Sequence, residues 1–180
     1  MEISLFSVIL LSSYPLSIFA APSKLDQLCN LLGGSYISPQ LCHSILDSDP
    51  RSFTADLNGL GIIASIIAAR NATIIAADIQ LLLSNSSSSD INREMVLTTC
   101  LKLYTDVVPM LNSAAKSIEV KNYSAAETML DVAMKVPTNC DNAAIQETSL
   151  WSLLNHYDAG FTYVVYVAHA IAAYIERYAG

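Results

Sequence analysis

Few residue sets in this chain have the types and spacing to do chemistry. Gly59-Leu60-Gly61-Ile62-Ile63-Ala64 fits GxGxxA, the pattern that brings a helix N-terminus up to a dinucleotide pyrophosphate. That chemistry needs a preceding strand and a βαβ unit, and no strand-like alternation precedes Gly59. Small residues that let two helices approach closely account for the pattern better. His43, His156 and His169 are scattered, and His156 and Asp158, two apart, would not share a helix face. Each histidine reads as a surface or packing residue rather than a ligand. Asp47 and Asp49 lie at a helix end beside Arg51, where a cap or local ion pair is the simpler role. GxSxG, HExxH and P-loop signatures are absent. The expectation is no catalytic residue, no metal and no cofactor, which leaves a binding function.

Cysteine chemistry is more informative. Cys29, Cys42, Cys100 and Cys140 form an even set with no CxxC and no zinc-ligand spacing. Three disulfide connectivities are open. Pairing neighbours in sequence would close the two shortest loops, worth about 3 and about 4 kcal/mol in a chain-entropy account. Three glycosylation sequons begin at Asn71, Asn85 and Asn122. Asn85 heads a serine-rich linker, Asn122 sits in a turn, and Asn71 falls in mid-helix.

An oxidising compartment agrees with the first segment. Residues 1–20 read as a secretory leader, apolar from Leu5 to Leu11 and ending in Ala20, although no Lys or Arg precedes the apolar run. Pro15 and Ser12-Ser13 argue against a lasting helix there. The expected mature chain is 21–180, extracellular and free of the membrane once the leader is removed. The run from Ala159 to Ile175 is apolar, but its length is marginal for a span and Glu176-Arg177-Tyr178 follow it, so it reads as a buried bundle helix.

With 53% hydrophobic and 14% charged residues among 180, the chain can bury a core and is not disordered. Nine basic against sixteen acidic residues, a net charge of −7, exclude a nucleic-acid footprint and favour a basic partner.

The elements that must carry these residues are helices almost throughout. Lys24–Leu32 is short and amphipathic, and Ser38-Pro39 opens a second short helix over 40–46. Thr54–Leu83 holds a long proline-free helix, SNSSSSD at 84–90 is a linker, and 91–118 is a second long helix with Pro109 inside. A third is capped by Asn122 or Ser124 and reaches about Val136, with Cys140–Gln146 irregular or weakly helical; the last runs over 152–178. The fold class is all-α: an N-terminal helical hairpin (24–50) followed by an up-down-up-down four-helix bundle (54–178).

Several blocks then carry a resemblance. Cys42-His43-Ser44-Ile45-Leu46-Asp47-Ser48-Asp49-Pro50-Arg51-Ser52, continuing through Ala55-Asp56-Leu57-Asn58-Gly59-Leu60-Gly61, strongly resembles plant pectin methylesterase and invertase inhibitors. Cys100-Leu101-Lys102-Leu103-Tyr104 is similar to that family's C-x-x-x-Y element, Lys121-Asn122-Tyr123-Ser124-Ala125-Ala126 to its Gly-Asp-Tyr-x-Ala-Ala turn, and Cys140-Asp141 to its Cys-Glu element. The resemblance covers about residues 24–178. It implies an apoplastic inhibitor, not an enzyme, with disulfides Cys29–Cys42 and Cys100–Cys140, that covers its target's cleft in a one-to-one complex without cofactor. It also implies that 91–118 and 123–136 form the contact face. Invertase inhibitors of the family carry a Pro-Lys-Phe turn that enters the invertase active site. The matching positions, Tyr123, Ser124 and Ala125, lack the basic residue and the Phe, which lowers acid invertase and raises pectin methylesterase as the partner. Tree-pollen proteins grouped with the invertase inhibitors share this Tyr-type turn, so invertase stays the alternative. A non-inhibitory helical carrier is the remoter one.

Overall fold

The computed structural model describes residues 22–33, 37–85, 91–145 and 147–178. The expected leader and residues 86–90 of the serine-rich linker lie outside the described residues.

Capping chemistry sets most helix starts. α1 (Lys24–Leu32) begins with a reciprocal box in which the Ser23 hydroxyl accepts from Asp26 N at 3.0 Å and the Asp26 carboxylate accepts from Ser23 N at 2.8 Å. α2 (Pro39–Leu46) has proline in its first turn and Ser38 Oγ accepting from Leu41 N at 3.1 Å. A short 3-10 turn, Pro50–Phe53, leads to α3 (Leu57–Ser84), where Asp56 accepts from Gly59 N at 2.7 Å. α3 therefore starts at Leu57 rather than Thr54, because the Asp56 cap fixes the first helical residue. α4 (Ile91–Glu119) continues through Pro109.

The third bundle helix differs most from its sequence reading. It breaks at Met134-Lys135 into α5 (Tyr123–Ala133) and α6 (Val136–Ala144). Pro137 does not end a helix; it occupies the first turn of α6, where a missing N–H leaves no bond unmade. The stretch from Cys140 to Ala144, expected to be irregular or weakly helical, thereby forms the second half of α6. α7 (Thr148–Tyr178) begins before Ser152 and runs 31 residues, about 46 Å at 1.5 Å per residue.

α3 packs on α4 and α7, α4 also on α5 and α6, and both of these on α7, which closes an up-down-up-down bundle. Leu60, Ala64, Ala68, Leu97, Leu111, Ile118, Phe161, Val165 and Ile171 lie in its core. Gly61 explains the glycine pattern: a Cβ there would stand 3.2 Å from an Ile171 methyl and 3.3 Å from one of Ile118, so α4 and α7 both close on this point of α3. α3 and α7 are long and apolar enough to cross a membrane, and about half of each apolar window is buried in the bundle. α1 and α2 form the hairpin, joined by Cys29–Cys42, while Cys100–Cys140 joins α4 to α6; all four sulfurs are buried.

Candidate target-binding face

The hairpin is fastened to the bundle by the Asp49-Pro50-Arg51 segment. Asp49, 5% exposed, accepts from Arg51 N at 3.1 Å and from Arg51 Nε at 2.9 Å on Oδ1, and from Nη2 at 2.6 Å on Oδ2. Arg70 of α3 approaches the same Oδ2 at 3.8 Å. The Arg51 hydrogen bonds hold the Asp49 carboxyl down at about 2. His43 adds a link between the hairpin helices, 3.5 Å from Asp26 and 3.5 Å from Asp47. These residues tie elements together; they do not converge on a reacting atom.

The turn between α4 and α5 is built from three devices. Lys121 takes a left-handed φ of 60°, a conformation that costs an L-residue about 1–2 kcal/mol and suits the glycine found at the matching family position. Asn122 caps α5, its side chain accepting from Ala125 N at 3.3 Å. Tyr123 folds inward, buried, and its hydroxyl donates to Asn58 Oδ1 at 2.9 Å, pinning the turn to the start of α3. Of the expected turn residues, Tyr123 is thus buried, Ala125 half-buried and Ser124 exposed. The ring turns in because an apolar body and a waiting carbonyl acceptor are both available there.

Above this turn, α4, α5 and α6 enclose a groove of about 180 Å³ lined by Leu103, Val107, Met110, Val132, Val136 and, at its edges, Asp106, Lys135 and Asn139. Val132 is 43% exposed within it. An exposed ion pair, Lys102–Asp106 at 2.5 Å, reaches its edge through Asp106, and a second, Lys116–Glu119 at 2.6 Å, lies at the end of α4. An apolar centre with a charged rim is the anatomy of a protein-binding surface.

The sequons occupy different settings. Asn85 is exposed at the C-cap of α3, and Asn122 is exposed at its turn. Asn71 is half-buried within α3, and its Oδ1 is buried without a hydrogen-bond partner. Among the described residues no group of three His, Cys, Asp or Glu side chains could hold a metal ion.

Sequence reasoning missed Asp158. It is 2% exposed on α7, accepts a hydrogen bond from the Tyr104 hydroxyl, and faces Asp141 of α6. Phe161 meets the Tyr104 ring edge-on, with centroids 5.2 Å apart. Burial first, and the neighbouring Asp141 carboxyl, raise Asp158 to about 7, although the Tyr104 bond works the other way. A helical reading that places Asp158 at i−3 from buried Phe161 could have found it.

Taken together, a closed helical bundle with a stapled hairpin, clamped turns and a rimmed surface groove defines a class: a small rigid protein-binding domain. The chain belongs to the plant invertase/pectin methylesterase inhibitor family, whose sequence model matches residues 23–171. It is 24% identical over 135 residues to the "Putative invertase inhibitor" of Platanus acerifolia, covering 75% of this chain and 74% of that protein. A second protein of that name, from Platanus orientalis, is also 24% identical over 135 residues, with 75% and 78% covered. The fold is similar to the crystal structure of a mutant form of a pectin methylesterase inhibitor from Arabidopsis, with a TM-score of 0.68 at 14% identity over 84% of this chain and 96% of that one. Membership classes the protein with inhibitors rather than enzymes and makes its partner a protein enzyme.

Proposed function

We propose that this protein is secreted after loss of residues 1–20 and inhibits a plant cell-wall pectin methylesterase, covering the substrate cleft in a non-covalent one-to-one complex. The groove and rim over α4, α5 and α6 supply the contact face. The observation that carries the choice of target is the inward fold of Tyr123, which leaves positions 123–125, those matching the Pro-Lys-Phe turn, with no basic or outward-pointing aromatic side chain to enter an invertase site. Burying that ring leaves a broad face rather than a probe, and a face suits an enzyme with an open cleft. Rigidity supports the reading, since a preorganised surface loses little entropy on docking. With Glu2 lost along with the leader, nine basic against fifteen acidic residues leave a net charge of −6, which steers the protein toward a basic enzyme. Glycans on Asn85 and Asn122 fit their exposure, and one on Asn122 would crowd the turn further.

Acid invertase is the second reading, favoured by the printed names of the Platanus relatives. Titrating the oxidised mature protein into a plant pectin methylesterase and, separately, an acid invertase between pH 4.5 and 7 decides between them. Saturable one-to-one inhibition of the esterase alone is expected, and inhibition of invertase alone overturns the choice. Neutralising Asp106 on α4 (Asp106→Asn) should slow association with a basic enzyme more than the equal charge change Gln27→Lys on α1; equal effects would remove the face from α4.

A further inference from the structure

Asp158 and Asp141 meet where three helices join. Asp158 Oδ2 and Asp141 Oδ1 are both buried, and neither receives a hydrogen bond from a donor. Two carboxylate oxygens that face each other with no donor between them cannot both stay bare without cost. A single proton shared between the two carboxyls completes the bond and removes one of the two like charges.

The surroundings hold the pair in place. Cys100–Cys140 fixes Asp141, the next residue on α6, and Tyr104, one turn along α4. Tyr104 and Asp141 reach Asp158 from α4 and α6, and among the described residues no cation contributes to its shift. On the α3 side, Asp78 engages Tyr157 rather than Asp158. On the α5 side, Glu127 and Asp131 face His169, Asp131 at 2.9 Å and Glu127 at 3.8 Å, about 16 Å further along α7.

We infer that the junction of α4, α6 and α7 is a proton-dependent latch, in which Asp141 and Asp158 share one proton and so dock α7 on α6 in acid. The direction follows from the free-energy linkage. Asp158 binds its proton more tightly folded than unfolded, so its stabilisation is complete below about pH 4, declines as pH rises and is gone above about pH 7. Three pH units of difference allow a fall of up to about a thousandfold in the folding equilibrium constant. The protein is matched to an acidic medium, whichever enzyme its face engages.

Glu127 adds in the same direction, because a hydrogen bond with Glu176 and its burial raise it. The test must therefore separate the two sites. Urea unfolding of the oxidised mature protein at steps from pH 4 to pH 8 should show the folding constant falling by a hundredfold or more and then levelling. In Asp158→Asn the amide donates to Asp141 permanently, so most of that fall should vanish, whereas Glu127→Gln should keep most of it. An unchanged fall in Asp158→Asn overturns the latch. A direct reading on the unaltered protein guards against a variant that does not fold. Carboxyl carbon NMR should find a buried aspartate still titrating above pH 6, and titration of every aspartate below pH 5 overturns the proposal.

Discussion

Two aspartates, each buried to within a few per cent, are driven in opposite directions from the ordinary carboxyl range. Asp49 fastens the hairpin end through the Arg51 guanidinium and is driven to about 2; Asp158 sits at the middle of the bundle facing a second carboxyl and is driven to about 7. Their exposures, 5% and 2%, barely differ. What separates them is first the depth of the surroundings, since desolvation dominates at Asp158 inside the bundle, and then the partner, since the Arg51 guanidinium stabilises a charge that the Asp141 carboxyl opposes. Burial alone does not set the state of an acid. The two sites also fail in opposite directions: the hairpin clamp weakens as pH falls from about 4 toward 2, the bundle junction as pH rises from about 4 to 7. Stability should peak between them.

Three measurements break or sharpen that contrast. The largest effect belongs to the disulfides beside each site. Replacing Cys100 and Cys140 with alanine should cost about 4 kcal/mol and replacing Cys29 and Cys42 about 3 kcal/mol in denaturant unfolding, because the first pair closes the longer loop. A reversed order would mean that packing at the hairpin, not loop length, governs. Next, Tyr104→Phe removes the hydroxyl that donates to Asp158. It should cost about 2 kcal/mol at pH 7, where a buried charge loses its donor, and about 1 kcal/mol at pH 4. A cost that does not change with pH would unseat Asp158 as the titrating group. The smallest effect is Asp49→Asn. Arg51 is largely exposed, so loss of the charge should cost only about 1 kcal/mol at pH 7 and nothing near pH 2, as thermal melts across that range would show.

Much of the framework could be read from residues in local patterns. Ser38-Pro39 and Asn122 announced helix starts because capping involves neighbours in sequence. The long proline-free stretch Thr54–Leu83 marks α3, and close helix packing accounts for the glycine pattern, as Gly61 shows. Pro137 misled because proline both stops a helix and starts one, and only the packing of Val136 and Cys140 on α7 and α4 chooses. Asp158 misled for a deeper reason. In sequence it marks the polar edge of an apolar run; its burial depends on Tyr104, 54 residues earlier, and on Asp141 from another helix. Tyr123 likewise reads as a turn residue until Asn58, 65 residues away, supplies the acceptor. Long-range partners of this kind leave no local mark.

The placement of the Cys100–Cys140 bond also has a consequence for how the chain finds its fold. Gly61 and Ile171 touch across about 110 residues, and neither lies inside a covalent ring. The bond short-circuits about 40 residues of that path, leaving about 70. By the logarithmic cost of closing a loop, the shorter route favours the encounter of α3 with α7 by about 0.4 kcal/mol, roughly twofold. Oxidation therefore does little to hasten the meeting of these two most apolar helices, and until they meet, each presents a long greasy stripe to any other chain nearby.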